Sequence, residues 1–242
     1  MTSMLKLLIS VKHAGEVGEA LYGGADIIDI KDPSRGSLGL PDLELVEEAL
    51  SRVRNWSTGS VETSIALGDV DRYGPELKYV AFTAAKLGVD YVKIGLATPS
   101  MEEALRISRE ASKIIKRSKK TKLVLVGYAD HASVGFIEPL KVIDIAIEAG
   151  AGVVMIDTFT KKGKSTYDLL GLEYLRNFVE KARRKKLMTA LAGSLKKEHM
   201  RITAKLGFNV VGVRGAACIG GRNGSISRRL VTELKEEIIS FR

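Results

Sequence analysis

Short apolar runs recur along the chain, with longer stretches of helical spacing between them. Eight runs read as strands: LKLLISV from Leu5, ADIIDIK from Ala25, VETSIAL from Val61, DYVKIGL from Asp90, KLVLVGYAD from Lys122, GVVMIDT from Gly152, LMTALAG from Leu187 and NVVGVRG from Asn209. Between them, segments such as MEEALRISREASKIIKR and GLEYLRNFVEKARRK repeat apolar residues at the three- and four-residue spacing of an amphipathic helix. Several helices run into GGAD, LGVD, AGAG or LGFN before the next strand, where glycine suits a helix C-cap. Eight strand–helix units in 242 residues predict a (β/α)8 TIM barrel, a fold that typically takes ~250 residues. An open doubly wound sheet is the weaker reading, because the count is eight and no unit is missing. No linker or shift in composition divides the chain, so residues 1–242 are expected to form a single barrel domain.

The pattern is informative where polar residues interrupt it. In GADIIDIKDPSRGSLG, from Gly24 to Gly39, Ile28 and Ile30 share one face of a strand, and Asp29 and Lys31 share the other. Chemistry in such barrels sits at the C-terminal ends of the strands. Asp29 and Lys31 end the second strand, and Asp69 follows the third. Lys93 lies within the fourth, opposite apolar Val92 and Ile94. Asp130 ends the fifth strand, Asp157 ends the sixth with Lys161 four residues on, and Arg214 ends the eighth. Parallel strands are covered on both faces, so Lys93 must enter the barrel mouth or pair with a carboxylate, for which Asp29 and Asp157 are the natural partners. The plain alternatives are a solvated strand-end lysine at Lys31 and a lysine–aspartate network that only shapes the barrel top.

Two adjacent lysines depress each other's pKa, and burial acts the same way, so one of them can be a neutral nucleophile that forms a Schiff base with a carbonyl. The second lysine can move protons, and a carboxylate can protonate a leaving hydroxyl or orient the amine. The loops after strands seven and eight, LAGSLK and VRGAACIGGRNGSIS, are rich in small residues where barrels of this kind often hold phosphate. Gly193, Ser194, Arg214, Gly215, Ala216 and Arg222 are the candidate phosphate ligands.

Composition narrows the class. The chain is 45% hydrophobic and 28% charged, which fits a soluble protein with a sizeable core. No apolar run approaches the ~20 residues of a membrane span, and the first residues lack a signal-peptide cleavage pattern. One cysteine, Cys218, excludes an intrachain disulfide and fits a reducing cytoplasm. The net charge of +9 suits anionic metabolites or nucleic acid. The basic runs Lys113–Lys122 and Lys181–Lys186 carry no interleaved aromatics for base stacking and precede strands, away from the expected site. They read as solvated faces, and a nucleic-acid-binding barrel is the alternative of a different class. His13, His131 and His199 lack metal-ligand spacing, and there is no nucleophile-elbow serine, Walker loop or dinucleotide fingerprint.

The motifs GADIIDIKDPSRGSLG, YVKIGL, GYAD, MIDT, ALAGSL and VGVRGAAC…GGRNGSIS together resemble the (5-formylfuran-3-yl)methyl phosphate synthase family over nearly the whole chain. The resemblance implies a lyase that condenses two molecules of glyceraldehyde 3-phosphate, without metal or organic cofactor, to 4-(hydroxymethyl)-2-furancarboxaldehyde phosphate for methanofuran. It implies Lys31 as the Schiff-base lysine, Lys93 as the proton acceptor, and Asp29, Asp157 and Lys161 as further catalytic groups, with Lys162 a rival for the last. Where the family often reads KNP, this chain reads KDP, which adds Asp32 beside Lys31. Arg35 and Ser37 are candidates for the second substrate's phosphate. Another Schiff-base aldolase acting on a phosphorylated sugar is the nearer alternative. The expected partners are the small phosphorylated substrate and further copies of the chain, with neither nucleic acid nor membrane.

Overall fold

The computed structural model describes residues 4–161 and 163–240. Eight parallel strands close into a barrel in sequence order. They are β1 (Lys6–Val11), β2 (Ile27–Ile30), β3 (Glu62–Val70), β4 (Tyr91–Leu96), β5 (Lys122–Tyr128), β6 (Val153–Asp157), β7 (Met188–Leu191) and β8 (Val210–Val213), with β8 pairing back onto β1. All eight runs predicted from the hydrophobic pattern are strands. Helices such as Leu43–Arg54, Met101–Ile115 and Pro139–Ala149 ring the barrel. Gly150 and Gly207 end two of these helices in the left-handed conformation, as the GAG and LGF signals predict.

Alternation sorts each strand into two apolar sets. Outward residues such as Ile28, Ile30, Val92, Ile94 and Ile156 pack against the helices in the main core. Inward residues such as Leu8, Ile27, Val124, Val126, Met155, Ala190 and Val210 fill the barrel. The register places Ser10, Asp29 and Ser64 side by side on β1, β2 and β3, and Lys93 beside Ala66 and Val124. The interior is therefore polar near its top, from Ser10, Asp29, Ser64 and Lys93 on β1–β4 and Asp157 at the end of β6, and apolar below.

Some features departed from the pattern. β3 runs on through Asp69 to Val70, with its pairing to β4 shifting register between Ala66 and Asp69, so Asp69 belongs to the strand. The loop after β8 folds into two 3-10 turns and a small hairpin, Cys218–Ile219 with Ser225–Ile226. Two-residue strands carry no readable period. Among the described residues no helix is long and apolar enough to cross a membrane.

Candidate active site

Strand ends bring four charged side chains together at the top of the barrel. Lys93 is buried in mid-strand, and its Nζ lies 2.6 Å from Asp29 Oδ2. The Ser10 hydroxyl donates to the same oxygen at 2.8 Å. Burial favours the neutral form of Asp29, but Lys93 and then Lys31 outweigh it and hold the carboxyl below its ordinary range. At the end of β6, Asp157 Oδ1 accepts from Lys161 Nζ at 2.7 Å and from the Thr158 N–H at 2.7 Å. Burial opposes ionisation here too, yet Lys161 and Lys31 bring its pKa to about 2.

Lys31 differs from the other lysines. It is buried directly after β2, and its amine donates to the Ser37 carbonyl at 3.2 Å. Burial lowers its pKa most; Asp157 and Asp29 push it up, Lys93 and Lys161 push it down, and the outcome is about 7. An amine at that value is substantially neutral near physiological pH and available as a nucleophile.

A cavity of about 470 Å³ opens above these groups. Lys31, Lys93, Asp157 and Lys161 line one side, Gly193, Ser194, Gly215, Ala216 and Arg222 another, and Leu8, Met155, Ala192 and Gly212 give an apolar floor. A second cleft, about 590 Å³, shares Lys161 and Arg222 with the first and adds Ser34, Ser37, Phe159 and Asn223. Gly215 and Ala216 open a 3-10 turn, so their N–H groups have no intrahelical acceptor and suit an anion. Ser194 holds a left-handed φ of 50°, a backbone that L-residues adopt at roughly 1–2 kcal/mol. Among the described residues the Arg222 guanidinium makes one long hydrogen bond, 3.5 Å to the Gly36 carbonyl, leaving most of its donors for a ligand.

Three expected residues are placed differently from the sequence reading. Arg214 lines the cavity, but all of its N–H donors are taken: by Glu16 Oε1 and Oε2 at 3.0 and 2.9 Å, and by the carbonyls of Ser10, Arg222 and Gly224 at 2.8, 3.0 and 3.0 Å. It anchors the loop and has no donor left for phosphate. Arg35 turns outward to Asp32, Asp42 and the Leu40 carbonyl. The Ser37 hydroxyl is buried and donates to the Thr158 carbonyl at 2.9 Å. Asp130 braces the loop after β6, accepting from the Phe159 and Thr160 N–H groups, both at 2.7 Å. Lys162 lies outside the described residues. Glu16 and Ser10 were missed by sequence reasoning; Ser10, two residues after inward Leu8, was legible from alternation.

The 4-HFC-P synthase family model matches residues 7–235. The (5-formylfuran-3-yl)methyl phosphate synthase of Methanothermobacter thermautotrophicus is 40% identical over 238 residues, spanning 97% of this chain and 99% of the relative. That of Methanocaldococcus jannaschii is 41% identical over 234 residues, spanning 95% and 98%. The chain belongs to the 4-HFC-P synthase family. As a member of that family it is an enzyme. Solved structures with a similar fold include 3-hexulose-6-phosphate synthase from Salmonella typhimurium, with a TM-score of 0.69, 16% identity and coverage of 98% and 100%. KGPDC from Streptococcus mutans gives 0.67, 14%, and 99% of both chains. Both extend the likeness to the fold alone. Within the 4-HFC-P synthase family, then, this member carries a buried Lys93–Asp29 bridge, a part-buried Lys161–Asp157 bridge and a third, buried lysine amine near both.

Proposed function

We propose that the enzyme is a lyase that builds the furan of methanofuran from two molecules of glyceraldehyde 3-phosphate through an imine on Lys31. The observation that carries this reading is the buried Lys31 amine, with a pKa near 7, between the Asp29–Lys93 and Asp157–Lys161 pairs at the base of a cavity walled by two glycine-containing loops. Relatives named for a furan phosphate product support it.

The neutral Lys31 amine attacks the aldehyde carbon of one triose phosphate. The Lys93 ammonium gives its proton to the departing hydroxyl, water leaves, and an imine forms. Lys93 is then neutral and accepts the proton from C2, which the imine has acidified. Asp29 compensates the returning charge. The enamine's electron pair expels phosphate from C3, and the leaving anion lies among Lys161, Arg222 and the N–H groups of Gly215 and Ala216. The second triose phosphate isomerises to its ketone, and C3 of the enol still bound to Lys31 adds to that C2 carbonyl, whose oxygen takes up a proton and becomes a hydroxyl; attack at C2 gives the branched skeleton that carries the phosphomethyl arm. Ring closure, dehydration and hydrolysis of the imine follow. Atoms balance when two triose phosphates give one furan phosphate, one inorganic phosphate and two waters.

Mass spectrometry of the product from glyceraldehyde 3-phosphate tests the reaction, and borohydride reduction with peptide mapping tests the nucleophile. The expected results are the six-carbon furan phosphate and a reduced adduct on Lys31. A sugar-phosphate product without the furan, or an adduct only on Lys93, overturns the reading.

A further inference from the structure

Loop Asp32–Gly39 covers the end of β2, and its Ser37 carbonyl is the hydrogen-bond acceptor of the Lys31 amine. The two amides that flank that carbonyl are both held by one carboxylate, Asp69 on the neighbouring strand. Asp69 Oδ2 accepts from the Ser37 N–H at 2.8 Å and from the Leu38 N–H at 3.2 Å, and Oδ1 lies 3.3 Å from the Leu38 nitrogen. The Tyr128 hydroxyl, from the end of β5, donates to Asp69 Oδ1. Burial above all, and then Asp69, push the Tyr128 pKa well up, so its hydroxyl stays a donor.

Two glycines make room for this arrangement. A Cβ on Gly95 would lie 1.8 Å from the Tyr128 hydroxyl and 2.8 Å from Asp69 Oδ1. A Cβ on Gly36 would lie 2.4 Å from Asp69 Oδ2, and Gly36 also holds a φ of +130° that favours glycine. The Gly in YVKIGL and the first Gly in RGSLG are thus the clearance around one acid. The Ser37 side chain adds a bond to the Thr158 carbonyl, so the loop is held on two sides.

We propose that Asp69 is a positioning residue for the nucleophile: it pins Ser37 and Leu38 so that the Ser37 carbonyl aims the Lys31 amine into the cavity. This rests on Lys31 being the imine-forming lysine. A carbonyl only accepts and carries no net charge, so a neutral amine that donates one N–H to it keeps its own lone pair free. A carboxylate in the same place would favour the ammonium. The charged groups that act most strongly on Lys31 are Asp157, Lys93, Asp29 and Lys161, and Asp69 is not among them. Asp69 therefore works through geometry and through keeping water from the amine. The structure gives Asp69 no place in the lining of the cavity itself.

The test compares the parent with Asp69→Asn and Tyr128→Phe. Asn keeps the size but leaves one uncharged oxygen for the three donors of Ser37, Leu38 and Tyr128, and its NH2 group cannot accept. Losing charged acceptors of this kind corresponds to about a tenfold or greater fall in kcat. The expected result for Asp69→Asn is that fall, a KM within about threefold of the parent, slower borohydride trapping on Lys31, and an acid limb of the kcat profile displaced upward as the amine becomes hydrated. Tyr128→Phe leaves the loop amides on Asp69 and should move the same readouts less, in the same direction. It decides the question if Asp69→Asn does not fold. A lower melting temperature with an unchanged acid limb and unchanged trapping in the folded variant overturns the positioning role. No adduct on Lys31 in the parent overturns the imine reading instead, so the two failures are distinguishable.

Discussion

Lys31 and Lys93 stand on neighbouring faces of one barrel mouth, yet their surroundings do opposite things to an amine. Lys93 sits mid-strand against a carboxylate 2.6 Å away, and that carboxylate is itself held by Ser10. Lys31 sits at a strand end against a carbonyl 3.2 Å away, with the nearest carboxylates committed to other lysines. Both are buried. Burial alone does not decide a lysine's chemistry; the partner in hydrogen-bond range does. A paired amine is a proton store, and an amine on a carbonyl is a nucleophile in waiting.

The sharpest way to break that comparison is to remove the unpaired amine. Lys31→Met should abolish turnover, on the order of 10⁴-fold or more, as loss of a covalent nucleophile does. The same change should raise the melting temperature. Lys31 has a folded pKa of about 7 against an ordinary 10.5, so between those values the unfolded chain binds more protons than the folded one. Stability consequently rises with pH across that window, and the penalty for burying this amine is fully present below pH 7. Thermal melts at pH 6 and pH 9 should show a larger gain from Lys31→Met at pH 6. A variant that is inactive and no more stable would show that the amine sits comfortably in the fold.

Next comes the paired lysine. Lys93→Arg keeps a cation beside Asp29 but cannot give up its proton, so turnover should fall about 10²–10⁴-fold while some imine, formed more slowly, is still trapped on Lys31. Lys93→Ala leaves Asp29 buried and unpaired, which should destabilise by about 3–5 kcal/mol in a denaturant melt. Near-parent turnover in Lys93→Arg would move the proton transfer to Lys161 or Asp157.

A smaller effect is expected on the phosphate side. Arg222→Ala removes a cation whose donors are largely unengaged, and KM should rise about tenfold or more with the fold intact. Parent-like saturation would place the phosphate elsewhere. The mildest change is Gly215→Ala. Its Cβ would meet Arg222 at 3.6–3.9 Å, an ordinary contact, so KM should shift by no more than about threefold, whereas Gly215→Val crowds the same space. Equal effects of Ala and Val would argue that backbone freedom matters at Gly215 more than space.

The barrel was legible because strand and helix periods are local, and eight units left little choice of architecture. Asp29, Lys31, Lys93 and Asp157 were legible because a charge inside an apolar run needs an explanation. The division of labour between the lysines was less so, since it depends on a carbonyl six residues after Lys31 and on registers between strands. Arg214 shows the limit. By position it reads as a phosphate ligand, but Glu16, which occupies it, lies at the far end of the sequence and looks like an ordinary first-turn helix acid. Nothing local marks Tyr128 either, because its partner comes from two strands away.

The Arg214 anchor has a meaning for how the protein is made. It ties the loop after the last strand to the Ser10 carbonyl on the first strand and to Glu16 in the helix that follows it. On the ribosome, Glu16 and Ser10 are finished long before Gly224 leaves the exit tunnel. Until then, the nascent chain carries an acid whose burial has no counter-ion, and the seam between β1 and β8 stays open. The same contacts therefore close the β1–β8 seam and fix the glycine-rich loop after β8, so disturbing either one disturbs the other.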